Sequence, residues 1–187
     1  MMSNAIAHSS SRGRARLVVA ALSACGLAAL AWSAFIRPDA RLVYNASDSV
    51  PVGWYRIDPA GRKAGSSPVG SIVLIRLPNA SASLAAQRGY LPIGIPLLKR
   101  VAAVAGQRVC IADRIVRIDG VTVAAARVAD RAGRPLRAWP ECRRLRPGEL
   151  FLLSTTNPAS FDSRYFGPVG APAVLGIAHP LLLEMDK

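Results

Sequence analysis

Lys99 stands inside an apolar stretch of the sequence, where a charged side chain is costly. Only three of the 24 lysine and arginine residues are lysines, and this one lies in the run LLKRV, residues 97–101. Side chains alternate between the two faces of a strand, so Lys99 can be buried while Arg100 reaches solvent. A buried lysine tolerates its surroundings by losing its proton, which arginine does not do. Lys99 is therefore a candidate general base, although a surface lysine at a strand end would show the same local pattern.

Two serines ahead of a Pro-Gly bend could supply a nucleophile for that base. Serine attacks well only when a neighbouring group takes its proton, and Ser-Lys pairs do this in some proteases. Ser49 directly precedes the rigid bend at residues 50–53, which could fix its hydroxyl group and its N–H. Ser47 lies on the same side of an extended chain and could help to bind an oxyanion. The alternative is an ordinary polar turn, because the asparagine and aspartate beside these serines are common turn residues.

A third polar segment, SFDSRYFGP at residues 160–168, could complete such a site. Asp162 and Arg164 could pair inside the protein and shape the floor of the site, while Ser160 could hydrogen-bond an amine. The alternative is a polar loop with two aromatic anchors. Metal and nucleotide chemistry are not indicated, because the two histidines, His8 and His179, have no partners at ligand spacing and no glycine-rich phosphate motif occurs. The sequence predicts no metal and no cofactor.

An uncharged run of twenty residues, Leu17–Ile36, precedes these motifs. A helix rises 1.5 Å per residue, so this run would cross about 30 Å of hydrocarbon. A cleavable signal peptide is the alternative, because residues 29–31 read Ala-Leu-Ala, but the apolar part of such peptides usually has only roughly 7 to 15 residues. We favour an uncleaved single-pass anchor.

Charges on either side of the run predict its orientation. Residues 1–16 carry three arginines, whereas Arg37, Asp39 and Arg41 have mixed signs. Because positive residues stay on the cytoplasmic side, residues 1–16 form a cytoplasmic basic arm and residues 37–187 form an exported domain. In a diderm bacterium the protein would lie in the inner membrane with this domain in the periplasm.

The net charge of +13 does not indicate nucleic-acid binding. The arginines are scattered, no helix-turn-helix or zinc pattern occurs, and the predicted topology keeps the domain away from DNA. A basic surface that faces anionic lipid headgroups explains the charge, so membrane lipid is the expected partner. Of the three cysteines, Cys25 lies in the apolar run as a small apolar residue, whereas Cys110 and Cys142 could bridge in an oxidising compartment or remain two buried thiols.

The exported part has the texture of a mainly β protein, with short apolar runs broken by Gly, Pro, Asp and Asn. We expect antiparallel sheets, coiled or barrel-like. Asp119-Gly120 predicts a tight hairpin, and Leu84–Arg88 predicts the one short helix of this part, with Ser83 as its cap and Gly89 as its stop. Pro59–Gly70 and Arg127–Arg146 are predicted as mobile excursions. The predicted strands are Arg41–Asn45, Trp54–Ile57, Ser71–Leu77, Leu97–Val104, Arg108–Ala112, Ile115–Ile118, Val121–Ala124, Leu150–Ser154 and Val174–Ala178.

Taken in order, the anchor and the three motifs resemble bacterial signal peptidase I and its plasmid-borne relative, the conjugative-transfer signal peptidase of TraF type. The resemblance covers residues 17 to 178. Housekeeping signal peptidases carry S-M-x-P, whereas here one residue separates serine from proline, as in the conjugative branch. The run RGYLP and the two exported cysteines also resemble that branch. The matching residues are Ser49 in SVPVG, Lys99 in LLKRVAAVAG, and Ser160, Asp162 and Arg164 in SFDSRYFGPV.

The resemblance implies a membrane-bound serine endopeptidase that acts on an exported precursor, a conjugative pilin whose ends are in some systems joined into a ring. Neutral Lys99 would take the proton of Ser49, and the N–H of Ser49 with the Ser47 hydroxyl would hold the oxyanion. Ser160, with the Asp162/Arg164 pair, would position Lys99. Small apolar pockets would favour an Ala-x-Ala-like substrate.

Three other functions remain to be weighed against this one. A general signal peptidase for secreted proteins is the nearest rival, and the missing S-M-x-P form weighs against it. A membrane-anchored β domain without catalysis would serve as an assembly component, since sequence alone does not show dyad geometry. A self-cleaving transcriptional regulator would need a DNA-binding domain where this chain has its apolar run.

Overall fold

The structure is a computed structural model that describes residues 6–35, 41–61, 67–154 and 156–184. The chain forms two compact units, Met1–Asp39 and Ala40–Lys187. Several residues used in the sequence analysis lie outside the described ones: Ile36 at the end of the predicted anchor, Arg37 and Asp39 beside it, and residues 62–66 of the first predicted excursion.

The first unit contains one long helix, α1 (Ile6–Phe35). Its segment Gly13–Trp32 is long and apolar enough to cross a membrane, and none of that segment is buried against protein. The helix begins eleven residues before the predicted anchor. Once the apolar run is helical, each further residue adds a hydrogen bond at little cost, so the basic arm extends the same helix.

The second unit is mainly β, as predicted, and its strands pair antiparallel throughout the described residues. The strands are β1 (Arg41–Asn45), β2 (Gly53–Pro59), β3 (Ile72–Ile75), β4 (Leu97–Val104), β5 (Arg108–Ala112), β6 (Ile115–Ile118), β7 (Val121–Ala125), β8 (Cys142–Arg144), β9 (Glu149–Leu153), β10 (Val169–Gly170) and β11 (Val174–Leu183). One sheet has seven strands in the order β1-β2-β11-β3-β4-β9-β10, and the other has four in the order β7-β6-β5-β8.

All nine predicted strands occur, with shifted ends in five of them. The two strands that the sequence did not predict, β8 and β10, have three and two residues and carry no run of β-branched side chains. The predicted hairpin is also confirmed, because Asp119 and Gly120 have φ angles of +49° and +86° between β6 and β7. Such a pair of positive φ angles matches the twist of the two flanking strands.

The helices of this unit differ from the prediction. Helix α2 (Asn79–Gln87) begins after Pro78, so Ser83 lies inside it and does not cap it. Its first turn, rich in Asn, Ala and Ser, has no apolar stripe that would announce a helix. Gly89, with a φ of +69°, follows the helix end as predicted. A second short helix, α3 (Ser163–Phe166), lies in the third polar segment, for which no helix was predicted.

Strand β4 passes through all three clusters of buried apolar side chains. Leu98 packs in the cluster on one face of the large sheet, and Val101 packs in the cluster on the other face. Ala103 joins the third cluster, which fills the space between the two sheets. Lys99 therefore stands on a strand whose neighbouring residues belong to the apolar core.

The second segment that was predicted as a mobile excursion, Arg127–Arg146, packs against the rest of the domain. Leu136, Trp139 and Leu145 are buried, and Trp139 contacts the cluster between the sheets. Within it, Cys142 in β8 lies opposite Cys110 in β5, and their sulfur atoms are bonded.

Candidate active site

Ser49 lies in the loop between β1 and β2 and is 7% exposed. We call residues 46–52 the nucleophile loop. The Oγ atom of Ser49 lies 2.9 Å from Ser47 Oγ and 3.4 Å from the carbonyl oxygen of Leu98 in β4. The two serines, which were predicted to share one side of the chain, thus form a hydroxyl pair beside the strand that carries Lys99.

Asn45 holds the nucleophile loop in shape. Its amide nitrogen donates to the carbonyl oxygens of Ser47, Val50 and Pro51 at 2.7 to 3.0 Å. Its amide oxygen accepts from Ser47 N and Ser47 Oγ. One side chain with two donors and an acceptor oxygen therefore satisfies most of the loop's inward-facing polar groups. In the sequence this asparagine stands out only as the last residue of a predicted strand and as a common turn residue.

Lys99 projects from β4 into an apolar environment and is 4% exposed. Arg100 points to the opposite side and is half-buried, donating to the carbonyl of Gly70 at 2.7 Å. The predicted alternation therefore buries the lysine and leaves the arginine near solvent. The Nζ atom of Lys99 donates to Ser160 Oγ at 2.5 Å.

Burial lowers the pKa of Lys99 from 10.5 to about 8. The nearby carboxylates of Asp162 and Asp48 act in the other direction, and the guanidinium of Arg164 reinforces the lowering. An amine with a pKa of about 8 is neutral in roughly one molecule in ten at pH 7, far more often than an ordinary lysine. It can accept a proton at that pH, which an ordinary lysine does only at much higher pH.

Asp162 and Arg164 form a buried ion pair, whose charges act on Lys99 and which we call the floor of the site. Their side chains are 0% and 1% exposed, and Arg164 Nη2 lies 2.7 Å from Asp162 Oδ2. Arg164 also donates to the carbonyl oxygens of Ala125, Pro158 and Ser160. Asp162 caps α3 and accepts from the backbone N–H of Ser154 in addition. This pair, which the sequence analysis expected, fixes the backbone that carries Ser160.

Asp48 and Asn157 connect the two halves of the site, and no local pattern in the sequence indicates this contact. Asn157 Nδ2 donates to Asp48 Oδ1 at 2.6 Å, and Thr156 Oγ1 donates to the carbonyl of Asp48 at 2.6 Å. The carbonyl of Asn157 accepts from Ser160 N. Residues 109 positions apart thus link the nucleophile loop to the segment that orients Lys99.

Ser47, Ser49, Lys99 and Ser160 line one cleft of about 440 Å³. Among the hydrogen bonds of the described residues, none joins Ser49 directly to Lys99; the serine reaches the carbonyl of the neighbouring Leu98 instead. Catalytic hydrogen bonds are often long in a free enzyme and tighten when substrate binds. The arrangement of a hydroxyl pair beside a buried amine is suited to acyl transfer. No group of three or more His, Cys, Asp or Glu side chains in the described residues is placed to hold a metal ion.

Comparison with known families gives a match over most of the chain. Residues 14–182 match the family described as signal peptidase, peptidase S26. Similar proteins include a probable conjugal transfer protein TraF of Sinorhizobium fredii, which is 36% identical over 89% of this chain and 87% of its own. The conjugal transfer protein TraF of Agrobacterium fabrum is 41% identical over 73% of this chain and 80% of its own.

Two further comparisons extend the range of similar proteins. A plasmid transfer protein TraF of Escherichia coli is 33% identical over 90% of this chain and 94% of its own. Among solved structures, a signal peptidase I from Enterococcus faecalis aligns with a TM-score of 0.38 and 22% identity, over 59% of this chain and 95% of that one.

Proposed function

The chain belongs to the signal peptidase family, peptidase S26, and we propose that it is a serine endopeptidase in which Ser49 is the nucleophile and Lys99 the general base. The observation that carries this proposal is the buried Lys99 amine, held by Ser160 in the same cleft as Ser49. Burying a lysine is costly, and pKa values lowered in this way cluster at functional sites.

The proposed reaction begins with the lone pair of Lys99 Nζ. As substrate enters, the Ser49 hydroxyl turns from the Leu98 carbonyl towards Nζ, gives up its proton, and its oxygen bonds to the scissile carbonyl carbon. The N–H of Ser49 and the hydroxyl of Ser47 stabilise the oxyanion. The protonated Lys99 then gives its proton to the leaving amine, and Ser49 remains acylated.

Release of the acyl group repeats these steps with a new nucleophile. Water, deprotonated by Lys99, yields a linear product and free Ser49. If the amino terminus of the substrate attacks instead, its nitrogen forms the new peptide bond and the product is cyclic. Ser160 keeps Lys99 aimed at the reacting oxygen in both steps, because the Asp162/Arg164 pair fixes the backbone around it.

We propose an exported precursor as the substrate, most specifically a conjugative pilin. The support comes from the names of the similar proteins, which are conjugal or plasmid transfer proteins, and from the single residue between Ser49 and Pro51. General signal peptidase activity is the second candidate, because the family description covers signal peptidases as a class.

The site would lie at the outer face of a bacterial inner membrane. The candidate span in α1 supports a single-pass anchor, and the basic arm before it supports a cytoplasmic amino terminus. The catalytic domain would then lie in the periplasm.

Pairing across β1, β2 and β11 places four exposed apolar side chains on one face of the sheet, where membrane lipid could cover them: Leu42, Tyr44, Trp54 and Leu182.

Mass spectrometry of a pilin precursor co-expressed with each variant tests this proposal. We expect Ser49→Ala and Lys99→Ala to leave the precursor intact. Ser83→Ala and Arg100→Ala are matched controls outside the cleft and should process it. Processing by either dyad variant would sink the mechanism. A product one water lighter than the linear mature peptide would show cyclisation, and equal processing of unrelated secreted proteins would favour the general peptidase.

A further inference from the structure

The cleft that contains Ser49 has one wall built from charged side chains that the catalytic proposal does not use. The cleft is lined there by Arg88, Asp130, Arg131 and Arg134. Arg88 directly follows helix α2. The other three residues lie in a tight turn, residues 129–135, that we call the arginine turn. An isolated bridge between Ala129 and Pro135 closes this turn.

Asp130 makes the arginine turn rigid. Its Oδ1 atom accepts from the backbone N–H groups of Ala132 and Arg134, both at 2.9 Å. Its Oδ2 atom accepts from Tyr90 Oη and from Arg134 Nε. Although burial favours the neutral acid, the hydrogen bonds from Tyr90 and Arg134 hold the pKa of Asp130 well below its usual range, so the carboxylate stays charged.

The wall nevertheless remains positive. Asp130 is one carboxylate shared by two guanidinium groups, those of Arg134 at 2.7 Å and of Arg88 at 3.7 Å. These arginines also hold backbone carbonyls, Arg88 that of Pro135 and Arg134 that of Arg88. Their geometry is therefore fixed by the turn that they support.

Arg131 is the cation of this wall that is free to bind something else. Its side chain is exposed in the cleft, and among the described residues no hydrogen bond or ion pair is recorded for it. It occupies the turn position between Asp130 and Ala132, so the rigid turn presents its guanidinium to the cleft. On the opposite side of the cleft, the Asp48 carboxylate accepts a hydrogen bond from Asn157, and it forms no ion pair with Arg131 among the described residues.

We propose that Arg131 and the arginine turn form a subsite for a carboxylate of the substrate peptide, close to the bond that Ser49 attacks. A cleft of about 440 Å³ holds only a short peptide segment, so a peptide that reaches Ser49 also passes the wall. A guanidinium pairs with a carboxylate through two parallel hydrogen bonds, which favours an anion over a neutral side chain. The carboxylate would be an acidic side chain near the cleavage site or the carboxyl terminus of the precursor. This inference rests on the proposed peptidase activity.

Cleavage of a peptide library by the full-length protein in phospholipid micelles tests the subsite. The library is prepared with free and with amidated carboxyl termini, and Ser49-dependent cleavage sites are sequenced by mass spectrometry. We expect acidic residues beside the cleavage site to be favoured by about fivefold, as one partly exposed ion pair allows. A preference for sites near the end that disappears on amidation would assign the carboxylate to the terminus.

The variant Arg131→Glu should reverse the preference in favour of basic residues, whereas Arg137→Glu should leave it unchanged. Arg137 is an exposed arginine of the same segment that lines a different groove, so it carries the same charge change outside the cleft. With a matched Glu/Gln peptide pair, Arg131→Glu should raise KM for the Glu peptide by roughly tenfold and change kcat little, because the ion pair binds ground state and transition state alike.

The outcomes of this experiment distinguish failure of the subsite from failure of the proposed peptidase function. Ser49-dependent cleavage without an acidic preference, or a preference that Arg131→Glu does not alter, would overturn the subsite alone. Absence of any Ser49-dependent cleavage by the wild-type protein would overturn the proposed peptidase function and the subsite with it.

Discussion

The two segments that meet at the cleft are both polar, but they are stabilised in opposite ways. The nucleophile loop is held by a neutral amide, Asn45, and keeps Ser47 and Asp48 exposed. The opposite segment, residues 156–164, is held by the buried ion pair of Asp162 and Arg164. A buried pair gives rigid geometry at a large desolvation cost, whereas neutral hydrogen bonds cost less and allow a side chain to turn. The difference suits the proposed reaction, in which the Ser49 hydroxyl turns while Ser160 keeps Lys99 in place.

The largest effect should come from breaking the buried ion pair. Arg164→Met leaves the Asp162 carboxylate buried without its charged partner, so the free energy of unfolding should fall by about 3–5 kcal/mol. Urea denaturation followed by tryptophan fluorescence measures it. Arg56→Met is the matched control, because Arg56 pairs with Asp58 at the surface and should cost only about 0–1 kcal/mol. Equal losses in the two variants would mean that the floor does not depend on its buried charge.

The next effect concerns Lys99, which lies between the two segments. Because its pKa is lowered to about 8, kcat/KM should rise about tenfold per pH unit below that value and level off above it. Between about pH 8 and 10.5 the unfolded state binds the proton that the native state has lost, so stability should rise with pH across this window. Below about pH 8 the full cost of burying the charge is present.

The small number of lysines makes that pKa directly measurable. Carbon-13 labelling of lysine Cε gives only three signals, and Lys99→Arg identifies the one that belongs to Lys99. A Lys99 signal that titrates near 10.5 would contradict the assignment of this residue as the base. Lys99→Met should abolish the rise of stability with pH.

A smaller effect is expected when the side chain of Asn45, the neutral clamp of the nucleophile loop, is removed. Asn45→Ala removes the donors and the acceptor that shape the nucleophile loop, so stability should fall by about 1–3 kcal/mol, and kcat should fall more than KM rises. Asn45→Asp keeps the acceptor and removes the donors, which separates the two contributions. Asn79→Ala, at an exposed position, serves as the control. If kcat did not change in Asn45→Ala, the loop would not need its clamp for catalysis.

The smallest effect should come from Asp48→Asn, which keeps an oxygen to accept from Asn157 but removes a charge. Since the Asp48 carboxylate raises the pKa of Lys99, its loss should move the midpoint of the pH profile to lower pH. Asp48 is exposed, so the shift should shrink in high salt. A midpoint that moves to higher pH would show that the two segments are not coupled through this charge.

Much of the fold was predictable because local patterns are strong here. Strands β4, β5 and β6 follow from short runs rich in Val, Ile and Leu, and the turn at Asp119-Gly120 follows from residues that accept positive φ. Strands β8 and β10 were missed because two or three residues show no periodicity. Helix α2 was predicted too short because its first turn packs no apolar stripe.

The candidate site residues were predicted from local signals, each of which also fitted an ordinary turn or surface residue, together with the family resemblance; their roles stay predictions. A lysine within an apolar strand and a serine before a rigid bend are local signals, as are Asp162 and Arg164 two residues apart. The contacts made by Asp48, Asn157 and Asn45 have no such signal, because asparagine and aspartate are equally common in turns that do nothing. Only pairing between distant segments gives these residues a role.

The sequence by itself determined which side chains could react and on which face of a strand Lys99 would lie, because alternation and composition are local properties. It also determined the apolar run that can cross a membrane. Only the tertiary structure decided that Ser49 would contact Leu98 rather than Lys99, and that Asp48 would join Asn157 across 109 residues. Those contacts depend on the antiparallel order of the large sheet, which no local pattern encodes.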